Sequence, residues 1–187
     1  MGIRFTRAKI ISAAFAVAIL TCGLFLYLFR FDIQFYRHRA LILPAARRYS
    51  LAPRLVASVI WQESRFRADR VGLTGEVGLM QVMPGTAQEW ARAEHLERFG
   101  TADLFSPATN VMVGTWCLAR AVKRWSDRAD PLPYALAEYN AGHSHARRWA
   151  APSDTSPKAY VEAITYPATR KYVREVLDRY RRFGYAP

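Results

Sequence analysis

The alternation of apolar and polar positions changes character along the chain, and each change marks an element. From Ile10 to Phe29 no charge interrupts an apolar run of about twenty residues, long enough to cross a bilayer as a helix. Phe35 to Tyr49 reads as a basic, partly apolar helix that links membrane to domain, and Ser50 ends it. In Leu51 to Ser64, Leu55, Val56, Val59 and Ile60 recur at helical spacing, with Pro53 tolerated near the first turn. From Arg65 to Met83 the helical period is lost and Gly72, Gly75 and Gly78 appear, which predicts a structured loop with room for a short hairpin.

Pro84 opens a helix to about Arg98. Ser106-Pro107 supplies an N-cap and first-turn pair for the next, whose apolar face is Val111, Gly114, Leu118, Ala121, Val122 and Trp125. Asp130-Pro131 starts another helix, which reaches Tyr139-Asn140 and stops near Gly142. The last runs from about Thr169 to Arg182, with Tyr172, Val173, Val176, Leu177 and Tyr180 inward. There are no internal repeats and no low-complexity linker. The expected fold is mainly α: several short helices around one small core, with an irregular or hairpin loop, behind one N-terminal transmembrane helix.

One polar residue breaks the pattern. Glu63 lies four residues after Val59 and three after Ile60, so it continues the apolar stripe, whereas Arg54 and Gln62 fall on the other face. Burial disfavours a charged carboxylate and raises its pKa, which makes it a general acid near neutral pH. A buried ion pair with Arg67 or Arg70 would place a glutamate there equally well.

Composition adds the membrane and the charge. The apolar run ends in Tyr27-Leu-Phe-Arg30 without an A-x-A-like site, which indicates an uncleaved anchor. Leu20-Thr-Cys22 is a poor lipidation site, because Thr21 precedes the cysteine and the run continues past it. Arg4, Arg7 and Lys9 on one flank are offset by Arg30, Arg37 and Arg39 on the other, so flanking charge leaves the orientation open. The net charge is +12, and beyond residue 30 there are still 23 basic against 15 acidic residues. Such a surface suits anionic polymers. No aromatic-interleaved basic run or zinc spacing points to nucleic acid or metal. Cys22 lies in the span and Cys117 in an apolar stripe, an arrangement incompatible with a disulfide between them.

Three segments then stand out together: Glu63-Ser64, Gly78-Leu-Met-Gln-Val-Met-Pro84 and Ala137-Glu-Tyr-Asn-Ala-Gly142. In this order they resemble the soluble-lytic-transglycosylase (SLT) type of catalytic domain, with its goose-type lysozyme-like fold. The resemblance covers about Tyr49 to Tyr180 and extends to Leu104-Phe105-x-Pro107-x-x-Asn110-x-x-x-Gly114. It also takes in Glu162-Ala-Ile-x-Tyr166-x-x-Thr169-Arg170-x-Tyr172-Val173. Five segments in order are far more specific than a lone short motif. Departures are Glu138 where such domains carry a small or apolar residue, His143-Ser144-His145 after the Tyr-Asn-Ala-Gly segment, and Pro167-Ala168 before Thr169-Arg170.

The resemblance implies cleavage of the β-1,4 bond between N-acetylmuramic acid and N-acetylglucosamine in peptidoglycan, leaving a 1,6-anhydromuramoyl end. Glu63 would be acid and then base, with no second catalytic carboxylate and no metal or cofactor. Ser64 would orient substrate, Gln81 would bond sugar acetamido or hydroxyl groups, and Met80, beside Gly78 and Leu79, would line the cleft. The Tyr139 hydroxyl would hydrogen-bond Glu63, Asn140 would hold its loop, and Glu162 would be a binding candidate. Asp69, Glu76 and Glu138 read as surface or loop residues.

The implied organisation is a cytoplasmic basic tail (1–9), a transmembrane anchor (10–29), a juxtamembrane helix or linker (30–48) and a catalytic domain (49–187). Expected partners are glycan strands and the cytoplasmic membrane. The domain is expected to be periplasmic or otherwise extracytoplasmic, and monomeric. Competing readings are a lysozyme-like muramidase on the same fold and an inactive peptidoglycan-binding module. A nucleic-acid or lipid-surface binder has only the charge in its favour.

Overall fold

A computed structural model describes residues 7–150 and 156–183; the first six residues of the expected cytoplasmic tail lie outside them. The chain divides into two compact units, one ending at Arg37 and the other beginning at His38. Helix α1 (Arg7–Arg48) is a single continuous helix, so the expected anchor and the expected juxtamembrane segment fall in one element. Within Ala14–Arg48 the most apolar 18 residues average a hydropathy of 2.0 with 6% of them buried, and among the described residues this is the one helix apolar and long enough to cross a membrane. Leu20, Leu24, Phe25 and Leu28 are all more than half exposed, as lipid-facing side chains would be.

Among the described residues the second unit holds seven further helices and one short 3-10 turn. They are α2 (Pro53–Ser64), α3 (Pro84–Ala93), the 3-10 turn Thr101–Phe105, α4 (Pro107–Arg124), α5 (Leu132–Ala141), α6 (His143–Trp149), α7 (Pro157–Ala163) and α8 (Pro167–Phe183). Helix α3 stops five residues short of the expected Arg98. His95 enters the left-handed region at φ 55°, and the Leu96 N–H turns back to the Ala91 carbonyl at 2.9 Å, a helix-terminating motif. Ser106 caps α4 as its sequence predicts, through an N–H of Thr109 at 3.5 Å.

Helix α2 is the centre of the unit. Every residue from Leu55 to Trp61 is buried, including Ala57 and Ser58, so it has no solvent face over these two turns. It lies against α8, which also packs on α5, while α5 packs on α4 and α6. Gln62, expected in solvent, instead donates from Nε2 to Glu175 at 2.7 Å and accepts from Arg179 at 3.3 Å. A stack of Trp125, Tyr134 and Tyr160, with centroid spacings of 5.3 and 3.9 Å, closes the far end of the core.

Two isolated antiparallel bridges, Val71 with Val77 and Val77 with Val82, give the 65–83 loop its hairpin character. Among the described residues no longer strand forms. The loop leaves α2 through two left-handed residues, Arg65 at φ 55° and Phe66 at φ 64°.

Candidate active site

The loop beside α2 is locked from below by one buried asparagine. Asn110, on the first turn of α4, accepts the Met80 N–H at 2.9 Å and donates to the carbonyls of Val77 at 2.7 Å and Leu104 at 3.2 Å. Gly78 sits over it at φ +78°, and a Cβ there would lie 2.5 Å from the Asn110 amide. One turn further along α4, a Cβ on Gly114 would lie 2.6 Å from the Met80 side chain. The two glycines therefore let the loop press flat against α4, and a larger residue at either would lift it.

On the other side of that loop an open groove of about 390 Å³ contains Glu63, Arg70, Thr74, Glu76, Gln81 and Tyr139 on its walls. Glu63 occupies the last turn of α2, where the buried helix comes up to the groove floor. Desolvation is the dominant influence on its carboxyl and raises the pKa from 4.5 to about 7. The Tyr172 hydroxyl and the Arg70 guanidinium pull the value down, and the Glu76 carboxylate pushes it up. Among the described residues Glu63 has no ion-pair partner. Arg70 instead donates to the Glu63 backbone carbonyl, so the buried ion pair that would equally explain the sequence pattern does not form.

Two tyrosines flank the acid. Tyr172, from α8, lies close enough to influence Glu63, yet its buried hydroxyl reaches hydrogen-bond geometry with no protein atom. Burial, then the charge of Glu63, raises the pKa of both Tyr172 and Tyr139 well above the usual phenol value. A carboxyl that titrates near 7 beside an open groove can donate a proton at neutral pH and later accept one. Among the described residues no three His, Cys, Asp or Glu are grouped to hold a metal ion.

The expected site residues separate into three sets. Glu63, Gln81, Tyr139 and Asn140 are brought together at the groove. Gln81 uses its Nε2 on the carbonyls of Arg70 at 3.1 Å and Gly78 at 2.9 Å, which leaves Oε1 as its acceptor. Asn140 accepts from Thr169 at 2.7 Å, so it holds the end of α5 to α8.

A second set lies beneath the groove. Ser64 is fully buried and its hydroxyl contacts the carbonyls of Leu79 at 2.8 Å and Ile60 at 3.2 Å, which ties α2 to the loop and keeps it from orienting substrate. Leu79 and Met80 are likewise fully buried, so Met80 is core under the loop and not cleft lining. The Tyr139 hydroxyl donates to the Met80 carbonyl at 2.9 Å and not to Glu63 as expected.

Glu162 makes the third set alone. It is exposed, pairs with Arg174 at 2.6 Å, and lines a different depression between α7 and α8. Of the acids read as surface or loop residues, Glu138 is only 9% exposed in its side chain and joins Arg124, Trp125 and His143. Two of the departures from the family pattern, at 138 and 143, are thus partners. Glu76, by contrast, faces the groove. Sequence reasoning weighed Arg70 only as an ion-pair partner, read Glu76 as a surface or loop residue, and did not place Tyr172 beside the acid. Tyr172 had one legible signal, since an inward tyrosine still needs a partner for its hydroxyl.

Residues 40–161 match the family described as Transglycosylase SLT domain. The chain is 31% identical over 170 residues to membrane-bound lytic murein transglycosylase F of Desulfosudis oleivorans, covering 77% of this chain and 36% of that protein. It is 34% identical over 126 residues to the soluble lytic murein transglycosylase of Salmonella typhimurium, covering 65% of this chain and 19% of the relative. It is 33% identical over 150 residues to the X polypeptide of Escherichia coli K12, covering 71% of this chain and 82% of that one.

Among solved structures, the Slt lytic transglycosylase of Pseudomonas aeruginosa, as an inactive mutant, superposes with a TM-score of 0.71. Its identity is 28%, over 80% of this chain and 25% of that one. The 70-kDa soluble lytic transglycosylase of Escherichia coli has the same TM-score at 27% identity, over 79% and 24%. The chain thus spans about a third of the membrane-bound relative and a fifth of the soluble one.

Proposed function

The chain belongs to the transglycosylase SLT domain family, and from that premise we propose that it is a membrane-anchored peptidoglycan lytic transglycosylase. Its groove would break the β-1,4 bond between N-acetylmuramic acid and N-acetylglucosamine and leave a 1,6-anhydromuramoyl end. The observation that carries this reading is Glu63, a carboxyl held near pH 7 at the floor of an open groove. The protonated form gives its proton to the leaving glycosidic oxygen. The resulting carboxylate takes a proton from the muramoyl 6-hydroxyl as that oxygen attacks C1. An intramolecular hydroxyl held in position has a high effective molarity and outcompetes water. The acetamido oxygen of the same sugar relieves the cationic transition state, the substrate-assisted route among glycosidases.

The other groups support that acid. Gln81 presents Oε1 to an N–H or O–H of a sugar, since its amide nitrogen is committed to the loop. Ser64, Met80 and Tyr139 act from beneath by holding the loop in place. Replacing Glu63 by Gln should abolish release of muropeptides from purified sacculi while circular dichroism stays unchanged. Turnover surviving in that variant would remove Glu63 from the mechanism. Mass spectrometry of the wild-type products should show anhydro ends; hydrated ends would make the enzyme a muramidase.

The substrate lies outside the cytoplasmic membrane. Residues 10–29 therefore serve as a single-pass anchor with the amino terminus inside and the catalytic unit, a monomer, on the extracytoplasmic side. A reporter fused at the carboxyl terminus should be active only if exported, and a cytoplasmic signal would refute this orientation.

A further inference from the structure

Beyond the single acid of the proposed mechanism, the groove holds a second carboxylate, Glu76, whose placement depends on two other residues of the same loop. The segment from Gly72 to Glu76 closes on itself: the Gly72 N–H donates to the Glu76 carbonyl at 2.7 Å, and Gly75 turns the chain at φ +96°. The Glu76 carboxylate is held by the Thr74 hydroxyl and by the Thr74 N–H at 3.1 Å.

In this position it occupies the space a side chain at residue 72 would need. A Cβ on Gly72 would lie 2.1 Å from Glu76 Oε2 and 3.1 Å from Gln81 Oε1. The backbone of Gly72 is outside the left-handed region, in contrast to Gly75 and Gly78, so its conformation does not require glycine. The missing side chain is what admits the acid.

We propose that Glu76 is an electrostatic partner of Glu63: a carboxylate on the groove wall, admitted by Gly72 and clasped by Thr74, that stabilises the positive charge developing on the sugar at C1. The inference rests on the transglycosylase reading of the groove and adds a second group to it. No bond to Glu76 forms and no proton moves to it; it acts through its charge alone.

The charged and titratable groups around the pair are few. Glu63 is faced by Arg70 and Glu76 from the loop, and by Tyr172 from α8. Tyr139 from α5 also feels its charge. The Thr74 hydroxyl, followed by the backbone N–H of Glu76 itself, leads the influences that hold Glu76 below the usual carboxylate range, with the Thr74 N–H and Arg70 also lowering it. Glu76 therefore ionises at lower pH than Glu63, and its charge then favours the protonated, acid form of Glu63. The same carboxylate serves both the resting acid and the cationic transition state.

The test uses the full-length protein in detergent on purified sacculi, with kcat, KM and the alkaline limb of the pH profile as readouts. Glu76→Gln should lower kcat by roughly tenfold to a hundredfold, leave KM little changed, and move the alkaline limb to lower pH, because Glu63 loses the charge that keeps it protonated. Gly72→Ala keeps the acid but displaces it, and should reproduce both effects. Glu76→Asp, a shorter acid, should retain the wild-type limb more nearly than the amide does.

If Glu76 only clasps the loop, Glu76→Gln and Gly72→Ala would lower the melting temperature and leave the pH limb and kcat of the folded fraction unchanged. That result would overturn the inference while Glu63→Gln remained inactive. Activity in Glu63→Gln would instead overturn the transglycosylase reading itself, so the two failures are distinguishable.

Discussion

Removing the central acid should make the protein more stable, but only where that acid is charged. Raising a carboxyl from 4.5 to about 7 in the folded state corresponds to about 3 kcal/mol, at 1.36 kcal/mol per pH unit. The sign follows from linkage. The folded state holds this proton more tightly than the unfolded chain, so stability is lost as pH rises. Below pH 4.5 Glu63 is neutral in both states and carries no penalty. Between 4.5 and about 7 the unfolded chain loses the proton first, and above 7 the full penalty is present.

Glu63→Gln, a neutral isostere, should therefore match the wild type near pH 4 and exceed it near pH 8. For a domain of this size 3 kcal/mol is a melting shift of roughly 6–12 °C. Scanning calorimetry of both proteins at the two pH values checks it, and every other titrating group cancels in the difference. An equal offset at both pH values, or a less stable amide at pH 8, would refute a burial-raised Glu63.

Two more outcomes follow from the geometry around that acid. Tyr172→Phe removes a hydroxyl that lowers the pKa of Glu63, so the alkaline limb of turnover should move to higher pH, opposite to Glu76→Gln; a stationary limb would mean that Tyr172 is core only. Asn110→Ala strips the Met80 N–H and the Val77 and Leu104 carbonyls of their buried partner, which should lower stability by at least about 2 kcal/mol, read by thermal unfolding. A variant as stable as the wild type would show that the loop is held by other contacts.

The helix starts at Pro53 and Ser106-Pro107 were legible because proline and capping chemistry act locally. Helices α6 and α7 were not, since seven residues give too few turns for a period to show. Glu63 was found by a pattern that describes α2 only in part. The stripe predicted one apolar face, but Leu55 to Trp61 are buried on all sides, because α2 runs through the middle of the unit. What sets Glu63 apart is its place on the last turn, where a buried helix opens on the groove and the carboxyl is desolvated yet reachable.

The loop from Arg65 to Met83 shows the limit from the opposite direction. Motif position said that its residues matter, but an irregular segment has no period to say which way each one faces. Met80 turns down onto Gly114, and the Leu79 carbonyl is held by Ser64 from the end of α2, while Arg70 and Glu76 line the groove. The absence of a side chain at Gly72 has no meaning in the sequence until the chain folds back and Glu76 fills that space. A glycine whose backbone does not require it can therefore matter for the space it leaves, here filled by a carboxylate that lines the same groove as Glu63.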